Sequence, residues 1–84
     1  MDTPDWLTRR GGSLKPGPQK HTWYAVFTDQ LQYRLRPRPV GGEFGCDIVQ
    51  TNNGKLIPSE SIAKTESGAV EVGLQDLAKH LGWI

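Results

Sequence analysis

The chain has 84 residues, of which 36% are hydrophobic and 23% charged, with one cysteine and a formal net charge of +1. This length allows a single domain, no apolar run approaches the ~20 residues that span a bilayer, and one cysteine cannot form an internal disulfide. The first residues lack the apolar segment of a secretory signal, so we expect a cytoplasmic protein that makes no membrane contact.

The small net charge conceals an uneven distribution of charged residues. Residues 1–38 contain seven Lys or Arg and three acids, whereas residues 39–84 contain three Lys and six acids. A basic half beside an acidic half is compatible with an anionic partner, with a dimer of complementary charges, or with no binding role.

The first twenty residues are poor in large apolar side chains and contain three Gly and three Pro. A segment of this composition cannot offset the entropy of ordering by burial. We therefore predict a flexible basic N-terminal arm (1–20) followed by a single small α+β domain (21–84). Trp6 and Leu7 form an apolar pair within the arm, which is expected to dock either on the domain or on a partner.

Two strands joined by a tight turn at Asp29-Gln30 are predicted over residues 21–28 and 31–36. The first strand carries aromatic and β-branched residues on both faces, which is typical of a central strand. The second alternates cleanly between apolar and polar residues, so one of its faces is expected to be buried. The alternation places Leu31, Tyr33 and Leu35 inward and Gln32, Arg34 and Arg36 outward.

A connection rich in structure-breaking residues is predicted over 37–43. Pro37 and Pro39 cannot donate to a sheet ladder, and Gly41-Gly42 favours a turn. The third strand is then expected over residues 43–51. Its period-two pattern places three residues on one face, namely Phe44, Cys46 and Ile48.

A second hairpin is predicted at Asn53-Gly54. This dipeptide favours a type I′ turn, which requires a positive φ at both central residues. Residues 55–57 are therefore expected to pair back as a short fourth strand that ends at Pro58. Each strand of the resulting meander pairs with its neighbours in sequence.

The last third of the chain has helical periodicity, because four apolar residues recur on one helical stripe. They are Val70, Leu74, Leu77 and Leu81. Thr65 or Ser67 is expected to cap the helix N-terminus, and Gly82 to end the helix so that Trp83 folds back on it. Gly73 beside the stripe indicates a close approach of helix to sheet. The predicted fold is thus α+β, an antiparallel four-stranded β-meander with one C-terminal α-helix packed on one face (ββββα).

Catalytic and metal-binding chemistry is not indicated by the sequence. Side chains that often carry catalysis are scarce, and Cys46 shares the predicted inward face of its strand, so we expect a buried hydrophobic residue rather than a nucleophile. No pair of Cys or His has the spacing of a zinc site, and no glycine-rich run matches a phosphate-binding loop. We therefore expect no enzymatic activity, no cofactor and no metal.

The outward residues of the first two strands are the strongest indication of function. Arg34 and Arg36 share the outward face with Tyr24, and Arg9 and Arg10 lie on an arm that could reach over them. Cations beside an aromatic ring on a sheet resemble the surfaces of single-stranded nucleic-acid binders. Arginines on a solvent-facing strand are also ordinary, and the total charge is low for a nucleic-acid-binding domain. We therefore keep single-stranded RNA binding as the alternative function.

Protein binding is the function that we favour, because small folds without a catalytic site act through their surfaces. Trp6 next to Arg9 and Arg10 resembles a short docking segment that orders on binding, and the predicted edge strand at 55–57 could accept a strand from a partner or a second copy. We predict a non-enzymatic protein-interaction or regulatory module that binds another protein or forms a self-dimer. Its predicted binding residues are Arg34, Arg36, Tyr24, Trp6, Arg9 and Arg10.

Two segments of the chain resemble a known family. The strand start WYAVF (23–27) and the run AKTESGAVEVGLQDLAKHL (63–81) are similar to the small sheet-and-helix domain of HicB-type antitoxins, in which a similar strand start and a Thr-capped acidic helix occur. The strand end before the helix differs from the family's, and no strand follows Trp83. The toxin-binding role of that family is therefore not carried over to this chain.

Overall fold

A five-stranded antiparallel sheet and two helices make up the domain, which the computed structural model describes over residues 1–28 and 31–83. The strands follow one another across the sheet in sequence order. They are β1 (Ser13–Pro16), β2 (Trp23–Val26), β3 (Gln32–Val40), β4 (Glu43–Gln50) and β5 (Lys55–Ile57), and the helices are α1 (Asp5–Arg9) and α2 (Glu66–Leu81). The predicted α+β meander with a C-terminal helix is confirmed, with one strand more than predicted. The turn predicted at Asp29-Gln30 lies outside the described residues.

The hydrophobic core lies between α2 and one face of the sheet. Leu35 of β3 and Ile48 of β4 are directly opposite one another, and both are fully buried. Val70 and Leu77 of α2 are fully buried in the same cluster. Burial of each such side chain contributes about 1.5–3 kcal/mol. The strand alternation and the helical stripe seen in the sequence therefore meet in one core. Neither described helix is long and apolar enough to cross a membrane.

Side-chain and backbone caps define both ends of α2. The hydroxyl oxygen of Thr65 accepts a hydrogen bond from the N–H of Gly68 (3.0 Å). At the other end Gly82 adopts a left-handed conformation (φ 75°), and the N–H of Trp83 donates to the carbonyl oxygen of Ala78 (2.9 Å). These bonds satisfy backbone groups that a helix terminus otherwise leaves without partners. Of the two predicted N-caps Thr65 is the one used, and the predicted C-terminal glycine is confirmed.

Gly73 allows α2 to lie directly on β4. A Cβ atom at this position would be 2.4 Å from Sγ of Cys46 and 2.7 Å from its Cβ, which is closer than such atoms approach. Cys46 is itself almost completely buried on the inward face of β4. Glycine costs about 1 kcal/mol of helix propensity relative to Ala, and here it sets the distance between helix and sheet. The close approach predicted from the sequence is confirmed.

β3 is longer than predicted, since it continues through two prolines to Val40. Pro37 and Pro39, which were predicted to belong to a connection, pair with residues of β4. Phe44, opposite Pro39, exchanges both of its backbone hydrogen bonds with Ala63 (2.8 Å each), so its N–H and C=O point away from β3. The N positions of both prolines therefore face the other side of β3. On that side β2 begins at Trp23, opposite Leu35, and does not reach the prolines. A proline is tolerated at such an edge because no ladder hydrogen bond is lost.

The turn predicted at Gly41-Gly42 is confirmed, whereas the second hairpin turn differs from its predicted form. Gly41 (φ 53°) and Gly42 (φ 85°) join β3 to β4 with positive φ at both central residues, which is the type I′ pattern. Between β4 and β5 only Gly54 has a positive φ (71°), and the side-chain oxygen of Asn53 accepts a hydrogen bond from the N–H of Lys55 (2.9 Å). The type I′ turn predicted at Asn53-Gly54 is therefore wrong, because the asparagine caps the loop with its side chain instead.

The segment predicted to be an arm contains a helix and a strand. β1 pairs along its whole length with β2, and α1 places Leu7, which has no exposed surface, in the core. The hydroxyl oxygen of Thr3 accepts a hydrogen bond from the N–H of Leu14 (3.2 Å), and the rings of Trp6 and Trp83 are 6.0 Å apart. The amino-acid composition of this segment did not indicate its ordered structure. An edge strand is stabilised by backbone hydrogen bonds to its neighbour, and one buried Leu is enough to attach α1 to the core.

Replacing Gly73 with Ala is expected to destabilise the protein although Ala favours a helix. The added methyl group collides with buried Cys46, and overpacking of this kind costs about 1–3 kcal/mol, against about 1 kcal/mol gained in helix propensity. Urea denaturation followed by circular dichroism measures the free energy of unfolding. Ser67→Ala, at an exposed position of the same helix, is the control and should change stability by less than about 0.5 kcal/mol. A Gly73→Ala variant that is more stable than the original protein by about 1 kcal/mol, the gain in helix propensity alone, would contradict the close approach.

Leu7→Ala is expected to lower the free energy of unfolding by about 2–5 kcal/mol, since the leucine is fully buried and its truncation leaves a cavity. The matched control is Arg9→Ala, two residues along the same helix and exposed. Thermal and urea denaturation of both variants measure the difference. Equal stability of the two variants would mean that α1 does not contribute to the core.

Candidate functional site

The two faces of the sheet are covered unequally. α2 packs against β3 and β4 on the core face, where the inward residues Ala25, Leu35 and Ile48 are buried. Residues that alternate with them point to the opposite face, which no element of residues 1–28 and 31–83 covers. We call this the open face. None of its central side chains is buried, and Leu56 is 72% exposed.

One line of side chains crosses the open face from the first strand to the last. The register places Lys15 opposite Tyr24, Tyr24 opposite Arg34, Arg34 opposite Val49, and Val49 opposite Leu56. Residues directly opposite on one face have Cβ atoms about 5 Å apart, so these five form a continuous cross-strand row. Two cations and a tyrosine occupy β1 to β3, and two aliphatic side chains occupy β4 and β5. Two of the predicted binding residues are thus neighbours within this row.

Three members of the cross-strand row were not predicted as binding residues. Val49 and Leu56 had a signal, because the alternation that turns Ile48 inward turns Val49 outward, and the hairpin then places Leu56 beside it. Lys15 had none, since it belongs to the segment that composition assigned to the arm. Its place opposite Tyr24 depends on β1.

Positive charge on the open face is only partly compensated. Asp47 accepts a hydrogen bond from Nη1 of Arg38 (2.5 Å) and lies 3.8 Å from Nη2 of Arg36. These groups are exposed, and such pairs contribute about 0–1 kcal/mol. Within the described part of the chain, no acidic group is within ion-pair distance of Lys15 or Arg34. Among the described residues, the cross-strand row therefore carries two cations with no ion-pair partner.

Arg34 lies against the sheet at the centre of the row. Its Nε is buried and has no hydrogen-bond partner among the described residues, although the residue as a whole is half-buried. A buried donor without an acceptor costs about 1–3 kcal/mol, and in native structures such a group calls for a physical explanation. The guanidinium of Arg34 thus lies at the centre of the row with its Nε buried. Its two terminal nitrogens are the donors that remain for an anion.

Arg36 lies on the open face beside the row, whereas the predicted binding residues of the N-terminal segment lie away from it. The ring of Trp6 packs on Trp83, and the guanidinium of Arg10 lies 4.8 Å from the centroid of the same indole ring. Trp83 also contacts Phe27, an inward residue, so this cluster belongs to the core side of the sheet. Arg9 is exposed on α1. The expectation that the arm reaches over the arginines of the sheet is therefore wrong, because Leu7 and Trp6 dock on the chain's own core.

Cys46 is in an environment that suppresses thiol reactivity. It is buried beneath Gly73, and burial raises the pKa of its thiol to about 12 from an ordinary value of 9.0. The thiolate is the reactive form, so the placement agrees with the predicted role as a buried hydrophobic residue. Within residues 1–28 and 31–83, no group of three His, Cys, Asp or Glu side chains is arranged to hold a metal ion.

Comparison with known proteins assigns no family. No protein-family model, no curated protein and no solved structure matches this chain. The resemblance to HicB-type antitoxins thus rests on residues 23–27 and 63–81 alone, and the function has to be argued from the open face.

Alkylation of Cys46 by iodoacetamide is expected to be at least about a hundredfold slower in the folded protein at neutral pH than in denaturant. Raising the pKa from 9.0 to about 12 lowers the thiolate fraction about a thousandfold, and burial also excludes the reagent. Mass spectrometry of timed samples measures both rates, with the denatured chain as the control. Comparable rates in the two states would show that the thiol is accessible and the packing beneath Gly73 is wrong.

Proposed function

We propose that this chain is a non-enzymatic, cytoplasmic interaction module without a cofactor, and that it binds another protein through its open face. The cross-strand row supports this proposal, because two cations without an ion-pair partner in the described part of the chain lie in line with a tyrosine and two aliphatic side chains. A single exposed Leu is ordinary on a protein surface. Apolar side chains beside unpaired cations combine the apolar area and the charge complementarity that protein interfaces use.

Single-stranded RNA is less well supported as the ligand of the open face. Proteins that bind single strands stack successive bases on several aromatic rings. Of the aromatic side chains in the described residues, only Tyr24 belongs to the open face, whereas Trp23, Phe27 and Trp83 pack on the core side. Two of the five side chains of the cross-strand row, Val49 and Leu56, are aliphatic and offer a nucleic acid neither stacking nor charge. The open face therefore favours a protein surface over a nucleic-acid strand.

A second copy of the chain is also less well supported. A twofold dimer through the open face would place the same surface against itself. With the axis at the centre of the row, Arg34 of one copy would approach Arg34 of the other and each Lys15 would face Leu56, while Asp47 is already shared by two arginines. Repulsion between like charges disfavours this arrangement. A different protein that carries acidic groups complements the face better.

The proposal is tested by placing a photo-crosslinking amino acid at Leu56 of the full chain and irradiating cells that produce it. We expect one discrete product that contains another protein, identified by mass spectrometry. Arg34→Glu in the same chain is expected to lower its yield at least about fivefold, because the variant replaces an attraction with a repulsion at the centre of the row. The same crosslinker at Arg9, which is exposed away from the open face, is the control and should give no such product.

Three outcomes would argue against the proposal, and each has its own meaning. Equal products from positions 56 and 9 would indicate contact without specificity for the open face. Loss of the product on digestion with ribonuclease would favour the RNA alternative. A crosslink between two copies of the chain, weakened by dilution, would favour a self-dimer.

A further inference from the structure

The first edge of the sheet offers an added strand no free backbone donor. The outward N–H of Leu14 donates to the hydroxyl oxygen of Thr3 (3.2 Å), and the N–H of Gly12 donates to the carbonyl oxygen of Leu7 (2.9 Å). Pro16, the next outward residue, has no N–H. Addition of a strand needs free outward donors and acceptors on alternate residues. β1 is therefore closed to a partner that binds as a strand.

The remaining edges are closed in a similar way. Pro37 and Pro39 occupy the outward positions of β3 beyond the end of β2. In β5, Lys55 and Ile57 turn their backbone groups toward β4, which leaves Leu56 as the one outward residue of the strand. Short strands and prolines are common protection for sheet edges. The addition of a strand at 55–57, which the sequence suggested, therefore has one residue of backbone to pair with.

The cross-strand row has the spacing of a helix laid across the strands. Adjacent strands are about 4.8 Å apart, so the row from Lys15 to Leu56 spans about 19 Å. A helix rises about 5.4 Å per turn, and positions i, i+4, i+7, i+11 and i+14 follow one of its faces over about 21 Å. One side chain of such a helix therefore faces each strand. On the core face α2 packs mainly on two strands, β3 and β4, whereas the row on the open face crosses all five.

The chemistry of the row specifies which side chains that helix carries. Lys15 and Arg34 form no ion pair within the described residues, so each is complemented by a carboxylate of the partner. Val49 and Leu56 at the other end are complemented by aliphatic side chains. Tyr24, between the two cations, offers a ring that packs against either an aliphatic or an uncharged side chain.

We infer that the partner presents an amphipathic helix, acidic over one half and aliphatic over the other, which lies along the cross-strand row. This inference rests on the proposed function, because it uses the same binding surface. It adds the secondary structure of the bound segment, the class of its side chains and their order.

The inference is tested with synthetic peptides of about 18 residues that are helical in isolation. Two alanine-based peptides are used, one for each direction of the helix along the row. The first carries Glu at i and i+7 and Leu at i+4, i+11 and i+14, and the second carries the same side chains in the reverse order. Titration of the isotope-labelled full chain is followed by two-dimensional amide NMR. We expect one of the two peptides to bind with a dissociation constant on the order of 0.1 mM, with the largest shifts at the residues of the row.

Matched variants and peptides separate this binding from general attraction. Arg34→Gln is expected to weaken binding at least about fivefold, because the Glu at i+7 loses its charged partner. Arg9→Gln should leave the affinity unchanged. A peptide with Lys in place of both Glu residues, and one of the same composition with two central residues replaced by Pro, should bind at least about tenfold more weakly.

Failure of the inference can be distinguished from failure of the proposed function. Equal binding of the Pro-containing peptide to the row would show that the helix is not required, and shifts confined to β1 or β5 edges would favour strand addition. If neither Glu peptide binds, the inference is overturned. A specific crosslink at position 56 would in that case still support the open face as the binding surface. The absence of that crosslink overturns the proposed function itself.

Discussion

The contact between Gly73 and Cys46 determines how the rest of the structure is arranged. Because no side chain separates the helix backbone from β4 at this point, the flanking residues Val70 and Leu77 reach directly into the inward face of the sheet. A chain of this size has one long helix to place, and this contact commits it to one face. Small domains bury a limited share of their surface. The open face is therefore a consequence of where the helix is held.

Elements with strong local signals could be predicted from the sequence, and those that depend on distant neighbours could not. α2 has apolar periodicity and side-chain caps within its own sequence, so its ends were placed correctly. β1 has little signal of its own, because its stability comes from bonds to β2. Pro37 and Pro39 looked like strand breakers, and only the early end of β2 explains why the strand continues through them. Four members of the cross-strand row follow from the strand alternation and the second hairpin, whereas Lys15 requires β1.

Charge in this protein is organised by contacts rather than by position along the chain. The basic first half and acidic second half suggested two separate regions, yet Asp47 of the second half compensates two arginines of the first. Neighbouring strands bring these residues together, so the sum over a segment does not describe the local field. What distinguishes Lys15 and Arg34 is that β1, β2 and β3 place them beside uncharged residues.

The packing of Trp6 against Trp83 has a consequence for how the domain can be joined to other polypeptides. This contact, with Arg10 over the same indole ring, holds α1 beside the residue that follows α2 and Gly82. Domains with adjacent ends tolerate insertion into a host protein and circular permutation. Because Trp6 and Trp83 both lie on the core side, a polypeptide fused by design before α1 or after α2 is expected to leave the exposed sheet unobstructed.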